Sequence, residues 1–222
     1  MRNSITMLTL ALLFMACSST KSQTVKKPKA TFETQLSSTL DAINNAEGVT
    51  AIFENKNKLK RLSSMYPNEW LSDYYVTLLN IKLSLGVKEA SKKEALLNEA
   101  KENLKVLKEK ENSNESEVLT LEGYYYYAKI ASNPQKNGQL YYMEVIGAYQ
   151  KAIAIDKSNP RPILMLSIFQ NDMASFTGAK ITNFCEKLTQ IEQMLEHSKQ
   201  EKVNDPKWGI RELKRSQKMG CS

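Results

Sequence analysis

Along residues 32–222, apolar side chains recur at steps of three and four, the spacing that lays a stripe along one side of an α-helix. Tyr74, Leu78, Ile81 and Leu85 make one stripe, Leu96, Ala100, Leu104 and Leu107 a second, and Ile181, Phe184, Leu188, Ile191 and Leu195 a third. No sustained period-two stretch competes with them, so the pattern predicts an all-α chain. Nine helices are predicted, over residues 32–46, 49–65, 69–85, 88–110, 115–132, 140–156, 160–174, 178–198 and 206–218. Asn159-Pro160 and Asp205-Pro206 mark two starts, each setting a capping side chain before a proline whose missing N–H costs nothing at the first helical position. Residues 132–138 read as a loop.

The chain also repeats itself at an interval of 45 residues. Leu59, Leu62 and Pro67 recur as Leu104, Leu107 and Asn112, and again as Tyr149, Ala152 and Lys157. Each copy sets a large side chain, an apolar one three residues later, and a turn five after that. The third copy, from Ala148 to Asp156 and on to Asn159-Pro160, resembles the second helix of a tetratricopeptide (TPR) repeat. Gly123 and Tyr126 resemble the small and aromatic positions of a TPR first helix. Further pieces are similar to a family of exported bacterial TPR proteins: Glu69-Trp70-Leu71 with Tyr74-Tyr75, Asn133-Pro134 with Gly138-Gln139 and Tyr141, Asn159-Pro160-Arg161, and Pro206-Lys207-Trp208-Gly209 near the last cysteine. The resemblance departs at Lys157, where the repeat usually has proline, at His197, where a small residue is usual, and at Phe176-Thr177-Gly178, where a longer Gly-rich loop is usual. It implies a TPR-like α-solenoid of about three to four helix pairs. Residues 206–218, with Trp208 inward and Arg211, Lys214, Arg215 and Lys218 outward, have the composition of its capping helix.

Composition sharpens this picture in two places. Eight Gly and six Pro in 222 residues are too few for a sandwich or barrel, which needs turn residues at every short strand. The net charge of +7 invites a nucleic-acid partner, but five of the positive charges (Arg2, Lys21, Lys26, Lys27 and Lys29) fall in an acid-free segment, residues 1–30. The remaining +2 is spread over interspersed basic and acidic side chains, without the dense basic helix that nucleic-acid binding requires.

The amino terminus reads as an export signal. Residues 1–3 carry Arg2, and residues 5–16 are an uncharged, largely apolar run of 12, too short to span a bilayer, which takes about 20. Phe14-Met15-Ala16-Cys17 resembles a bacterial lipobox, although Phe14 stands where leucine is usual. That resemblance implies a signal peptide over 1–16, a diacylated Cys17, and a flexible tether over 17–31 ahead of the helical domain at 32–222. The competing reading is ordinary cleavage after Ser18, which discards Cys17. The expected place is the cell envelope, lipid-anchored, at the outer membrane facing the periplasm.

Candidate chemistry is sparse. His197 is the only histidine, sits at a helix end, and lacks the partners of a hydrolytic triad or a zinc site. No GxSxG, HExxH or glycine-rich phosphate motif occurs, and the one acid pair considered, Glu122 with Glu144, lacks any sign of a shared cleft. No enzyme activity, metal or cofactor is therefore expected. Cys185 and Cys221 form an even pair in an oxidising compartment and are read either as a disulfide or as two free thiols with Cys185 buried as a small apolar residue. Tyr124, Tyr125, Tyr126 and Tyr127 occupy consecutive helical positions, so some must leave the helix seam. With Tyr74, Tyr75, Tyr141 and Tyr142 they are read either as packing or, for Tyr74, Tyr75, Tyr124, Tyr125, Tyr127, Tyr141 and Tyr142, as a binding surface.

The expected role is a membrane-tethered scaffold or adaptor for another envelope protein or peptide. The alternative is a carrier that holds a small ligand or glycan in a Tyr-rich cavity between the third, fifth and sixth predicted helices. The anchor is directly testable: Cys17→Ser removes incorporation of labelled palmitate and stops lipoprotein processing. Processing that continues unchanged in that variant refutes lipidation.

Overall fold

The structure, a computed structural model, describes residues 31–198 and 205–221. The expected signal peptide, Cys17 and the expected tether as far as residue 30 lie outside the described residues. Among those described there are nine helices and no strand: α1 (Phe32–Asn44), α2 (Val49–Met65), α3 (Leu71–Gly86), α4 (Ala90–Glu109), α5 (Glu115–Ser132), α6 (Pro134–Ile155), α7 (Pro160–Phe176), α8 (Phe184–Ser198) and α9 (Ile210–Gly220). Each helix packs on the next, and in addition α3 packs on α5 and α5 on α7. The odd-numbered helices α3, α5 and α7 thus form an inner row, which is why they are buried over most of their length.

Local chemistry explains most boundaries. Thr31, Asn114, Asn133 and Asn159 each accept a bond from a first-turn backbone N–H at the starts of α1, α5, α6 and α7. Three starts lie four residues or more from expectation. α6 begins at Pro134 and not at 140, because Asn133-Pro134 supplies the same cap and first-turn proline as Asn159-Pro160. α8 begins only at Phe184 and not at 178, because the chain is still turning after α7, with Ala179 N–H bonded back to the Ala174 carbonyl. α9 begins at Ile210 and not at Pro206. Trp208 is drawn into the core, and the chain needs Gly209 at φ +120° to turn from it into the helix.

The positions that repeat every 45 residues share one environment: Leu59, Leu104 and Tyr149 are buried, as are Leu62, Leu107 and Ala152. Two-residue turns follow at 67–68, 111–112 and 157–158. Buried polar groups tie neighbouring helices. Lys56 of α2 donates to Asn80 Oδ1 of α3 at 2.7 Å and to Glu99 Oε2 of α4 at 3.0 Å. Lys110, just past α4, reaches Asp73 at the start of α3 at 2.6 Å. At the carboxyl end Cys185 of α8 and Cys221 are disulfide-bonded, their Cα atoms 5.6 Å apart. Cys185 is exposed, so it is not the small buried apolar residue of the alternative reading.

Gly123 sits in α5 because the Tyr149 ring of α6 lies against its Cα; a Cβ there would fall 2.6 Å from Tyr149 Cε1. Gly123→Ala therefore lowers stability by about 1–2 kcal/mol, since overpacking against a fully buried ring outweighs the roughly 1 kcal/mol gain in helix propensity. Gly147→Ala, in the same hairpin but with open space at its Cβ, raises stability by about 0.5–1 kcal/mol. Urea unfolding of the two variants checks both signs.

Candidate ligand site

The site is built around a carboxylate taken out of water. Glu117 sits in the first turn of α5 and is 1% exposed. Its Oε2 accepts from the Tyr74 hydroxyl of α3 at 2.6 Å, and its Oε1 from Asn159 Nδ2 at 2.9 Å and Arg161 Nε at 2.7 Å, with Arg161 Nη2 at 2.6 Å. Burial, the largest influence, would depress the Arg161 guanidinium's hold on its proton, but the Glu117 charge and hydrogen bond together with the Tyr74 and Tyr75 hydroxyls outweigh it and hold the group above its ordinary range. Asn159 also donates to Ser116 Oγ, whose hydroxyl donates to the Ala152 carbonyl, so α5, α6 and α7 share one network.

Tyr74 passes this network on to the chain's last segment. Its oxygen accepts from Trp208 Nε1 at 2.6 Å. The indole stacks on Tyr124 with ring centroids 5.9 Å apart, and Lys82 Nζ lies 5.2 Å from the indole centroid while pairing with Glu212 at 2.7 Å. Trp208 is thus fixed by one hydrogen bond, one ring and one cation, and the segment 205–211 is held alongside α1 and α3. Arg211 completes the seam by donating to the Asn44 carbonyl at the end of α1.

Between α1, α3 and this segment lies a cavity of about 410 Å³. Leu40 and Ile43 of α1, Ile52 of α2 and Leu78, Leu79 and Leu83 of α3 supply apolar walls, and Tyr75 and Trp208 add rings. Lys82, Lys207 and Arg211 also line it, with Asp41 and Asp205. Lys207 and Arg211 are exposed, so cations stand where the cavity meets water. Burial pushes the Tyr75 hydroxyl well above the ordinary phenol range, and the Lys207 backbone offsets only part of this; it stays protonated.

The tyrosines part company here. Of the seven read as a binding surface, only Tyr75 lines this cavity. Tyr74 is wholly buried in the Glu117 network. Tyr124 and Tyr127 line a second cavity of about 400 Å³ under α9, with Tyr127 bonded to Asp172. Tyr125 is buried edge-on to Tyr126, Tyr141 stacks on Tyr126 at 5.5 Å, and Tyr142 tilts against Phe169. The space between α5 and α6, expected to hold part of a Tyr-rich cavity, is filled by Tyr149. Glu122 is ion-paired with Lys108 at 2.6 Å, and His197 stands exposed in the last turn of α8. No cluster of three or more metal-ligating side chains occurs among the described residues, and no helix among them is long and apolar enough to cross a membrane. Sequence spacing missed Lys82 and the α1 wall as site residues; the signal within reach was Lys207-Trp208-Gly209, an aromatic flanked by a cation and a glycine outside any stripe.

No protein-family model and no curated protein sequence matches the chain. Among solved structures it is similar to the HusA haemophore from Porphyromonas gingivalis, with a TM-score of 0.67 and 15% identity over 86% of this chain and 92% of that one. At that identity the likeness speaks for the fold alone: this is an all-helical chain built as that protein is.

Burial raises the hydroxyls of Tyr74, Tyr75, Tyr124, Tyr127 and Tyr149, with Glu117 adding to the rise at Tyr74 and Asp172 at Tyr127. A proton held more tightly by the folded chain stabilises it fully below the unfolded value, about 10, and that stability is lost progressively as pH rises from there through the raised folded value. Phenolate absorbance from these five rings therefore appears only together with loss of helical circular dichroism above about pH 10. Ionisation of all ten tyrosines with the helices intact would contradict this burial.

Proposed function

We propose that this chain is a non-catalytic carrier that holds a small apolar molecule bearing carboxylates in the cavity between α1, α3 and the 205–211 segment. The observation that carries the reading is the cavity's make-up: several hundred Å³ of apolar wall with Lys207 and Arg211 at its mouth. Apolar area supplies the affinity, about 25 cal/mol per Å² removed from water, and the cations orient the charged edge. Among the described residues the lining contains no His, Cys or Met, and its Tyr75 hydroxyl stays protonated, so in this reading recognition rests on shape and charge. The likeness to a haemophore makes haem, flat and edged by two carboxylates, the first ligand to try. In this reading the hairpin row is a TPR-like solenoid, Cys17 anchors it in the envelope, and the cavity is closed by the carboxyl-terminal segment in place of a plain cap.

The test is a titration of haemin into the mature chain carrying Cys17→Ser, followed by tryptophan quenching and haem absorbance. Saturation at one ligand per chain is expected, with affinity reduced about tenfold or more by Lys207→Glu with Arg211→Glu and by Leu40→Trp, which fills the cavity. Absence of saturable binding for haemin and for a long-chain fatty acid, or binding indifferent to both sets of changes, refutes the reading.

The adaptor role is a second reading, favoured by Leu140, Tyr142 and Met143, which stand 61%, 40% and 69% exposed within one turn of α6. Specific crosslinking of an envelope protein at these residues, with no ligand in the cavity, would favour it.

A further inference from the structure

The charge of the helical domain, which reads as interspersed along the sequence, is concentrated in one place in the fold. Residues 205–221 carry five basic and two acidic side chains, a net +3, whereas residues 31–222 together carry only +2. The remainder of the domain is therefore slightly negative. On α9, Arg211, Lys214, Arg215 and Lys218 fall within about 100° of arc, opposite the buried Leu213, and all four are exposed. The acid of this helix, Glu212, is turned aside into its pair with Lys82. Lys214 is bound to Glu192 of α8, and Arg211 holds Asn44 through one guanidinium nitrogen, so Arg215 is the cation of the face with no ion pair or hydrogen bond of its own among the described residues. Arg211 belongs both to this face and to the cavity lining, with Lys207 beside it, so the basic surface begins at the cavity mouth.

We propose that this face of α9 seats on an anionic lipid surface, bringing the cavity mouth against the bilayer. Two features select lipid over an acidic protein. The segment ahead of α1 carries Lys21, Lys26, Lys27 and Lys29 and no acid, so tether and α9 share one electrostatic preference. The reach also suffices. From Cys17 to Thr31 an extended chain covers up to about 50 Å. α1, of 13 residues, spans about 20 Å from Thr31 to Asn44, where Arg211 is bonded. A domain anchored at Cys17 can therefore lay α9 flat beside its own anchor. Basic side chains near an anionic bilayer attract it additively, and the attraction fades with salt.

The test uses the mature chain carrying Cys17→Ser, so that no acyl group inserts, floated with vesicles of phosphatidylcholine alone or with added phosphatidylglycerol. Binding is expected only to the anionic vesicles, to fall as salt rises, and to drop about tenfold or more in Arg215→Gln with Lys218→Gln. That variant leaves the cavity lining intact, and haemin titration and circular dichroism on it verify that the domain and its site are unchanged. Equal binding to both kinds of vesicle, no binding to either, or binding undiminished in the variant overturns the proposal; the last outcome assigns the attraction to the tether lysines. Vesicle binding in a chain that takes neither haemin nor a long-chain fatty acid would refute the carrier reading alone, so the two fail separately.

Discussion

A carboxylate removed from water must be met by enough donors to replace its hydration, and Glu117 is met by four N–H and O–H groups from three side chains, one on α3 and two at the start of α7. Such a node is unforgiving. Losing one partner of a buried ion pair typically costs about 3–5 kcal/mol, because the other is left charged and unsolvated. The arrangement therefore dictates geometry as much as it stabilises. Arg161 and Asn159 fix where α7 starts relative to α5, and Tyr74 fixes α3 against both. Because Tyr74 donates to Glu117, its lone pairs face away and receive the Trp208 N–H. The position of the last segment, and with it one wall of the cavity, is inherited from the ionisation of a single glutamate.

That inheritance explains why the cavity sits at the amino-terminal edge of the helix row. Tyr149 of α6 and Phe169 of α7 fill the seams beside α5, and the space left where α3, α5 and α7 meet α9 is the second cavity, which the short α9 covers. α1 and α2 continue the row from α3, but the chain's end is laid across their junction. The 205–211 segment bridges the gap with a ring and charged side chains where another helix would have sealed it with aliphatic ones.

Much of the fold was legible because it is governed by local rules. Stripes of period three and four found all nine helices, and side-chain caps before proline marked α7 correctly. The same kind of dipeptide at Asn133-Pro134 lies in a stretch whose composition predicts a loop, although its physics is identical, and α6 is longer than the pattern predicts. Asp205-Pro206 predicts a start for the same local reason and is not one, because burial of Trp208 outweighs a cap. The tyrosines were not separable by type or spacing: consecutive helical positions point in every direction, and only the neighbours reveal which ring is core. The cavity was beyond reach of local reasoning altogether, since it depends on Trp208 meeting Tyr74 across 134 residues and Arg211 meeting Asn44 across 167.

Those two long separations bear on how the molecule is made. A chain emerging from a ribosome, or threading through a pore, presents its hairpins one after another, and each can settle on its predecessor as it appears. The Trp208 bond cannot form until α1 to α8 have all passed. Up to that moment Tyr74 lacks its donor and the groove beside α1 lies open. Completion is thus tied to the arrival of the segment that carries Trp208, and a messenger cut short before Trp208 would yield a row of helices with no chamber to fill.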